Sequence, residues 1–479
     1  MDFANLIGGR WVEGPQRSEN RNPADTRDLV GLFVRGTPRD MTAAVDAARE
    51  AFPGWSAAPA PARGAILFKA AEILDGRFEQ LAAEMTREEG KTLPEARGEV
   101  RRSINILRYF GGEGARLPSL LVPSERDRVF ACALRKPLGV VGLVTPWNFP
   151  SAIPAWKLAP ALVAGNTVVL KPASAAPLSS WRIVEALVDA GVPPGVVNYV
   201  AGPGSELADA MLDGAGMRAI SFTGSCEVGA QLYDRAVRRR LRVQLEMGGK
   251  NPTVVLADAD LDRAVADTVA GAFASTGQKC TATSRAIVAA PVYEAFVERL
   301  LDRTRALRVG HGMDPSTDVG PAVDRHQLEA VLRYVETGVR EGARLACGGR
   351  RLIGSLFDHG YFVEPAVFLD VTEQMTIAQE EIFGPVLAVL KAADFDDAVR
   401  MANAVAFGLS ASVQTTSISR AFDFISRIEA GLVTVNLPSA GVEYQLPFGG
   451  TKDSSVGPKE QGPHALDFYT DWKTVYLRY

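Results

Sequence analysis

The sequence predicts an α/β protein with two parallel-sheet domains and a small β element. Three observations carry this. The chain has 479 residues, too long for one ordinary core, so two or three domains are expected. Between about 137 and 305, short apolar strand-like runs alternate with helical runs. That alternation is the pattern of parallel strands joined by helical crossovers, a sheet suited to holding a nucleotide at its carboxyl edge. A further α/β stretch runs from about 360 to 436.

The elements follow in order. Residues from about 40 to 110 read as mainly helical, until Gly and Pro break the pattern and alternating strands follow. "VVGLVT" (140–145) and "TVVLKP" (167–172) are buried strands. "PLSSWRIVEALVDAG" (177–191) is a helix entered by Pro and closed by Gly. "VVNYVAG" (196–202) is a strand, and "SELADAMLDG" (205–214) a helix with Ser205 at its N-cap. "RAISFTGS" (218–225), the helix from Glu227, and "RVQLEMGG" (242–249) complete the first series. "NPTVVLAD", the helix 261–275, "RAIVAA" and the helix from Val292 open the second. The C-terminal "FYTDWKTVYLRY" alternates and is rich in Tyr and Val. Such an edge strand invites aggregation unless paired, so pairing across a subunit boundary is expected.

Composition excludes several classes. The net charge is −4, and the only dense basic run, Arg238–Arg240, reads as a solvated helix end, so nucleic acid is not an expected partner. The N-terminus lacks a cationic stretch followed by an apolar core, and the longest apolar runs fall short of the roughly 20 residues of a span. No membrane is therefore expected. The four cysteines, Cys132, Cys226, Cys280 and Cys347, are scattered, with no Cys-x-x-Cys and no nearby histidine pair. Neither a metal site nor a disulfide framework is expected, and a reducing, cytoplasmic compartment is.

Four stretches bear on chemistry. In "TPWNFP" (145–150), Asn148 offers an amide donor at a strand tip, or merely helps a turn. In "SFTGS" (221–225), Ser225 after Gly224 is a phosphate site at a helix N-terminus, or an ordinary N-cap. In "LEMGGKNP" (245–252), Glu246 is a general base, or a solvated strand end. In "ASTGQKCTATSR" (274–285), Cys280 is a nucleophile if something takes its proton, or a small core residue.

Taken together and in this order, these stretches resemble the aldehyde dehydrogenase superfamily over nearly the whole chain. "IGGRWVEG", "LVAGNTVVLKPAS" (162–174), "EEIFGPV" (380–386) and "PFGGTKDSS" (447–455) belong to the same resemblance, as does the 34-residue step from Glu246 to Cys280. The resemblance implies that Cys280 attacks an aldehyde to give a thiohemiacetal, held by the Asn148 side chain and the Cys280 N–H. Loss of hydride leaves a thioester, and Glu246 activates the water that hydrolyses it. The glutamate separates this reading from the branch that releases its product to CoA. Lys157 and Glu460 take the positions that relay protons from the base. For the cofactor, the resemblance implies Lys171 at the adenosine ribose, Gly224 and Ser225 at the pyrophosphate, Glu381 at the nicotinamide ribose, and Phe383 and Trp147 beside the ring. NAD-preferring members often carry a glutamate three residues after the lysine. Here that position is Ser174, so NADP is accepted alongside NAD.

The tail from Gly441 and the stretch after Thr145 are similar to one branch, the 2-oxoglutarate semialdehyde (2,5-dioxopentanoate) dehydrogenases. Aligning "NILRYF" places Arg102 on the wall of the substrate tunnel, as an anchor for a distal carboxylate or as a surface residue. "GVEYQL" (441–446) would close over the substrate, with Tyr444 or Gln445 adding polar contacts. Succinate semialdehyde, other semialdehyde acids and vanillin-like aromatic aldehydes are the alternative substrates. A catalytically inactive structural member, or an esterase using only the thiol, are the alternatives of a different class. The implied architecture is a Rossmann-like cofactor domain (1–116 with 135–248), a catalytic domain (249–448) and a β-ribbon oligomerisation element (117–134 with 459–479) in a homodimer or homotetramer.

Overall fold

Four helices fill most of the N-terminal quarter, where the sequence predicts them: Pro38–Ala57, Ala60–Gly76, Phe78–Glu89 and Leu93–Glu113. Their ends are written locally. Thr37 and Asp40 cap the first reciprocally, with Pro38 in its first turn. Gly90, at φ +94°, closes the third in the left-handed conformation and turns the chain into Lys91. In this computed structural model, which describes residues 2–479, five short strands within Asp2–Val34 precede these helices. They leave little sequence signal, being two to six residues long; most pair with one another, and Asn5–Ile7 also reaches a distant strand, Leu6 pairing with Tyr199.

The first large sheet has eight strands. Its parallel centre runs Arg242–Glu246, Met217–Thr223, Val140–Val144, Thr167–Lys171, Val197–Tyr199. Strand order climbs 140, 167, 197 to one side and 217, 242 to the other. The reversal between Val140–Val144 and Met217–Thr223 opens a crevice at their carboxyl ends, where open α/β sheets bind ligands. The residues that follow those two strands are Thr145–Asn148 and Gly224–Ser225.

The second sheet has seven strands in the order Arg344–Cys347, Ala366–Leu369, Val386–Ala392, Thr283–Ala289, Asn251–Val255, Ser410–Gln414, Leu432–Val435. All pair in parallel except the first. The chain passes from one sheet to the other between Glu246 and Asn251, through Gly248 and Gly249.

A third sheet stands apart. Thr470–Arg478 pairs antiparallel with Val129–Pro137, which pairs in turn with Leu120–Val122. Leu121 and Tyr476 are 71% and 62% exposed, and the Thr470–Arg478 strand keeps one free edge.

Two local expectations need correction. The helix at 205–214 starts earlier, at Gly204, with Pro203 rather than Ser205 at its N-cap. Proline's fixed φ suits that entry without a side-chain cap. The C-terminal strand starts at Thr470, because Phe468 and Tyr469 end a short buried helix, Ala465–Tyr469. Its carbonyls are held from outside: Arg242 donates to Phe468 O and Thr470 O, and Asn166 donates to Tyr469 O. No helix among the described residues is long and apolar enough to cross a membrane.

Candidate active site

Cys280 lies on a loop that the sequence holds under strain. The helix Leu261–Phe273 ends, and Ser275, Thr276 and Gly277 follow at φ 55°, 57° and 67°. A β-branched threonine in that region is costly, by about 1–3 kcal/mol. The surroundings hold it there. Ser275 N donates to Glu95 Oε1 at 2.6 Å, and Thr276 Oγ1 to Gly320 O at 3.0 Å. Gly277 fits because a side chain there would run into the Gly384 carbonyl. Beyond the strain, Asn251 Nδ2 donates to Cys280 O (2.7 Å) and Ala282 O (2.9 Å), fixing the main chain on either side of the thiol.

Asn148 comes to Cys280 from the other sheet. It is 3% exposed, and its Nδ2 donates to Gln278 O at 2.9 Å. An amide nitrogen has two hydrogens, so one remains for a ligand. The same crevice, of about 200 Å³, is lined by Trp147, Asn148, Gly224, Ser225, Cys280, Glu381 and Phe383. Seven residues singled out from sequence therefore meet in one place. Ser225 is the N-cap of the helix Cys226–Arg238, its Oγ accepting from Val228 N. Trp147 and Phe383 meet edge to face at 5.3 Å. Glu381 accepts from Gly249 N at 2.9 Å, where the chain crosses between sheets.

The carboxyls around the thiol are protonated more readily than usual. Burial pushes Glu381 up to about 7. Cys280 is pushed up to about 12, first by burial and then by the charges of Glu381 and Glu246.

Glu246 is no solvated strand end: it is 2% exposed. Its Oε2 accepts from Ser455 Oγ, and its Oε1 from Gln244 Nε2 at 3.3 Å. Burial, and then the neighbouring Glu460 charge, hold its carboxyl well above the usual range. Behind it runs a buried polar chain. Ser221 Oγ donates to Gln244 Oε1 at 2.6 Å, Lys157 Nζ donates to Ser221 Oγ at 2.7 Å and pairs with Glu460, and Trp156 Nε1 donates to Glu460 Oε2 at 2.9 Å. The structure thus joins Glu246, Lys157 and Glu460 through Gln244 and Ser221, which the sequence reading missed. Their signal was present: Gln244 and Glu246 are two apart on one strand, so they share a face.

Lys171 and Ser174 lie apart from the crevice. Lys171 Nζ donates to Pro172 O at 2.7 Å, and burial lowers it to about 8. Ser174 is exposed, its Oγ donating to Gly202 O at 3.3 Å.

A second hollow, of about 340 Å³, also reaches Cys280. Its walls are largely apolar, with Phe149, Trp156, Phe448 and Val442 among them, and its cations are Arg102 and Lys279. Arg102 is not a surface residue. It is half-buried, and Nη2 faces Gln461 Oε1 at 3.5 Å, while Arg101 points out to Asp75. Lys279, which sequence reading missed, has no hydrogen-bond or ion-pair partner for its side chain among the described residues, and burial lowers it to about 8. Gly441 and Val442 line the hollow; Tyr444 packs instead on Tyr109, and Gln445 donates to Glu443.

The residues of the crevice fit a dinucleotide. Thr223 Oγ1 is buried without a partner at the carboxyl end of its strand, next to the free N–H groups of the Cys226–Arg238 helix. The second hollow fits a small organic substrate.

Comparison with known proteins agrees with this geometry. The profile of the aldehyde dehydrogenase family matches residues 11–475. The alpha-ketoglutaric semialdehyde dehydrogenase of Bacillus subtilis is 48% identical, covering 99% of this chain and 98% of its own. The alpha-ketoglutarate semialdehyde dehydrogenase of Haloferax volcanii is 46% identical, covering 99% of each. Among solved structures, an NAD-dependent aldehyde dehydrogenase from Sinorhizobium meliloti superposes with a TM-score of 0.97 at 36% identity, covering 100% of this chain and 95% of that one.

Proposed function

The chain belongs to the aldehyde dehydrogenase family, and from that premise we propose the residues that do its chemistry and the substrate it takes. The reaction is oxidation of an aldehyde to a carboxylic acid with a nicotinamide cofactor. The observation that carries our assignment is the place of Cys280, on the wall of both hollows. Of the two residues that line both hollows, Ile153 and Cys280, only the cysteine can act as a nucleophile.

In this reading, Cys280 gives up its proton to solvent water and its sulfur bonds to the aldehyde carbon. The second Asn148 amide hydrogen and the Cys280 N–H hold the resulting oxyanion. Each such donor is worth about 3 kcal/mol of barrier. The cofactor supplies the hydride acceptor. Cys280 then carries the acyl group as a thioester. Glu246 takes a proton from water, the water oxygen bonds to the acyl carbon, and the carbon–sulfur bond breaks to return the thiol and release the acid. Lys157 and Glu460 take the proton on from Glu246 toward solvent, with Gln244 and Ser221 holding the buried polar chain between them in place. Ser225 and Gly224 would hold the pyrophosphate, Glu381 the nicotinamide ribose, and Trp147 and Phe383 the ring.

The substrate is 2-oxoglutarate semialdehyde. The names of the relatives support it, and so does Arg102 in an otherwise apolar wall. NADP serves as well as NAD, since Ser174 puts no carboxylate against a 2′-phosphate and Lys171 stands near. Initial rates on 2-oxoglutarate semialdehyde, succinate semialdehyde, hexanal and benzaldehyde, with each cofactor, test this. We expect the highest kcat/KM on the 2-oxoglutarate compound, with NADP at least equal to NAD. Arg102→Met should raise KM for the carboxylated aldehydes by about tenfold or more, the loss of a charged hydrogen bond, and leave hexanal unchanged. A preference for hexanal or benzaldehyde would remove the anchor. A strong preference for NAD would remove the Ser174 argument.

The free edge and exposed apolar face of the Thr470–Arg478 sheet support assembly with a second copy as a dimer or tetramer. A monomer in sedimentation would refute that. Four free cysteines, one of them a nucleophile, suit the cytoplasm.

A further inference from the structure

Behind Asn148 lies a buried ionic cluster that the reaction scheme above does not use. Lys91 Nζ donates to Glu99 Oε2 at 2.6 Å and to the main-chain carbonyl of Asn148 at 2.8 Å. It lies 3.7 Å from Glu89 and 4.5 Å above the Phe149 ring. The side chains of Lys91, Glu89 and Glu99 are each 1% exposed. The other oxygen of Glu99 accepts from Ser151 N (2.8 Å) and Ala152 N (3.0 Å), the first amides of the helix Ala152–Ala164. A carboxylate on those amides satisfies donors that would otherwise be orphaned and meets the positive end of the helix. One carboxylate therefore holds the start of the helix while its lysine partner holds the loop that enters it.

The backbone sets Lys91 there with little freedom. Gly90 turns the chain at φ +94°, and a side chain on it would meet Pro321 and Pro23. Lys91 N is fixed by Glu89 Oε2 at 3.0 Å.

We propose that Lys91, backed by Glu99, is a positioning residue for aldehyde oxidation: it fixes the Asn148 main chain so that the free amide hydrogen points at the oxyanion. Asn148 is then held at two points, its carbonyl by Lys91 and one amide hydrogen by Gln278 O. With the carbonyl released, the peptide rotates and the donor leaves its place. A shift of about 1 Å in such a group costs about 100-fold in rate. A buried ion pair is a poor source of stability compared with apolar packing, so placement is the better account of its presence here.

This inference rests on the reading of Asn148 as oxyanion donor, and a double-mutant cycle separates the two. Lys91→Met should lower kcat about 10- to 100-fold, with KM and the NADP dissociation constant, read by fluorescence quenching, held within about twofold. In an Asn148→Ala background the same substitution should cost less than about twofold more. Lys91→Met alone strands the buried Glu89 and Glu99 carboxylates, so the cycle is run also with Lys91→Met/Glu99→Gln, which removes the charge bonded directly to Lys91 and keeps an oxygen for Ser151 N and Ala152 N. A double variant that melts with the parent and stays slow supports positioning. A double variant that regains parent kcat overturns it, as does an equal cost in both Asn148 backgrounds. Asn148→Ala at parent kcat would overturn the oxyanion reading, and this inference with it. A slow Asn148→Ala beside a fast Lys91→Met overturns this inference alone.

Discussion

Glu246 is a residue whose environment sets its chemistry. The same carboxylate on a solvated strand end would be ionised at neutral pH and a weak base. Here burial, and then the Glu460 charge, raise its carboxyl above the usual range, and burial, with the Glu381 and Glu246 charges, raises the Cys280 thiol. In the reaction we propose both groups act in their deprotonated forms, and both are raised above their ordinary values. The rate therefore rises with pH, since raising pH populates the active form of each. We expect kcat to climb from neutral to alkaline pH, and the part of that rise that belongs to deacylation to vanish in Glu246→Gln. A flat profile in the parent enzyme would show that neither proton limits turnover. Cys280, Asn148, Glu246, Ser225 and Glu381 were legible from their motifs. Lys279 and Lys91 were not. A lysine has no motif of its own: Lys91 is distinguished by burial against Glu99 and Asn148, which lie further along the chain, and Lys279 by its place in the wall of the second hollow.

At the scale of the element, the nucleophile loop is the most demanding piece. Three consecutive left-handed residues are affordable only because Glu95, Gly320 and Gly384 crowd around them. Gly277→Ala places a methyl group against the Gly384 carbonyl at φ +67°. We expect a loss of about 1–3 kcal/mol in stability and a larger loss in kcat than in NADP affinity. Unchanged melting and turnover would show that the loop tolerates relaxation. Buried parallel strands and capped helices read clearly from sequence, because apolar runs and capping pairs are local signals. The strands before residue 36 did not, since "RSENR" becomes a strand only by pairing with Leu29–Val34. The helix Ala465–Tyr469 was hidden for the same reason: Arg242 and Asn166, distant in the chain, hold its carbonyls.

For the whole molecule, the arrangement of the two sheets decides the chemistry. Asn148 and Glu246 end strands or loops of one sheet, while Cys280 precedes a strand of the other. Neither half holds the reaction alone, and the Gly248–Gly249 crossing, tied to Glu381, brings them together. The topology of each half follows from its alternating elements, but the meeting of the halves depends on contacts such as Asn148 with Gln278. The central claim is a covalent acyl group on Cys280 that Glu246 is needed to remove. Rapid mixing of Glu246→Gln with NADP and 2-oxoglutarate semialdehyde, followed by intact-protein mass spectrometry, tests it most directly. The account predicts a burst of about one reduced cofactor per site, slow turnover afterwards, and a protein heavier by the acyl group, lost again in Cys280→Ala. Steady turnover at the parent rate with an unmodified Cys280 would contradict it.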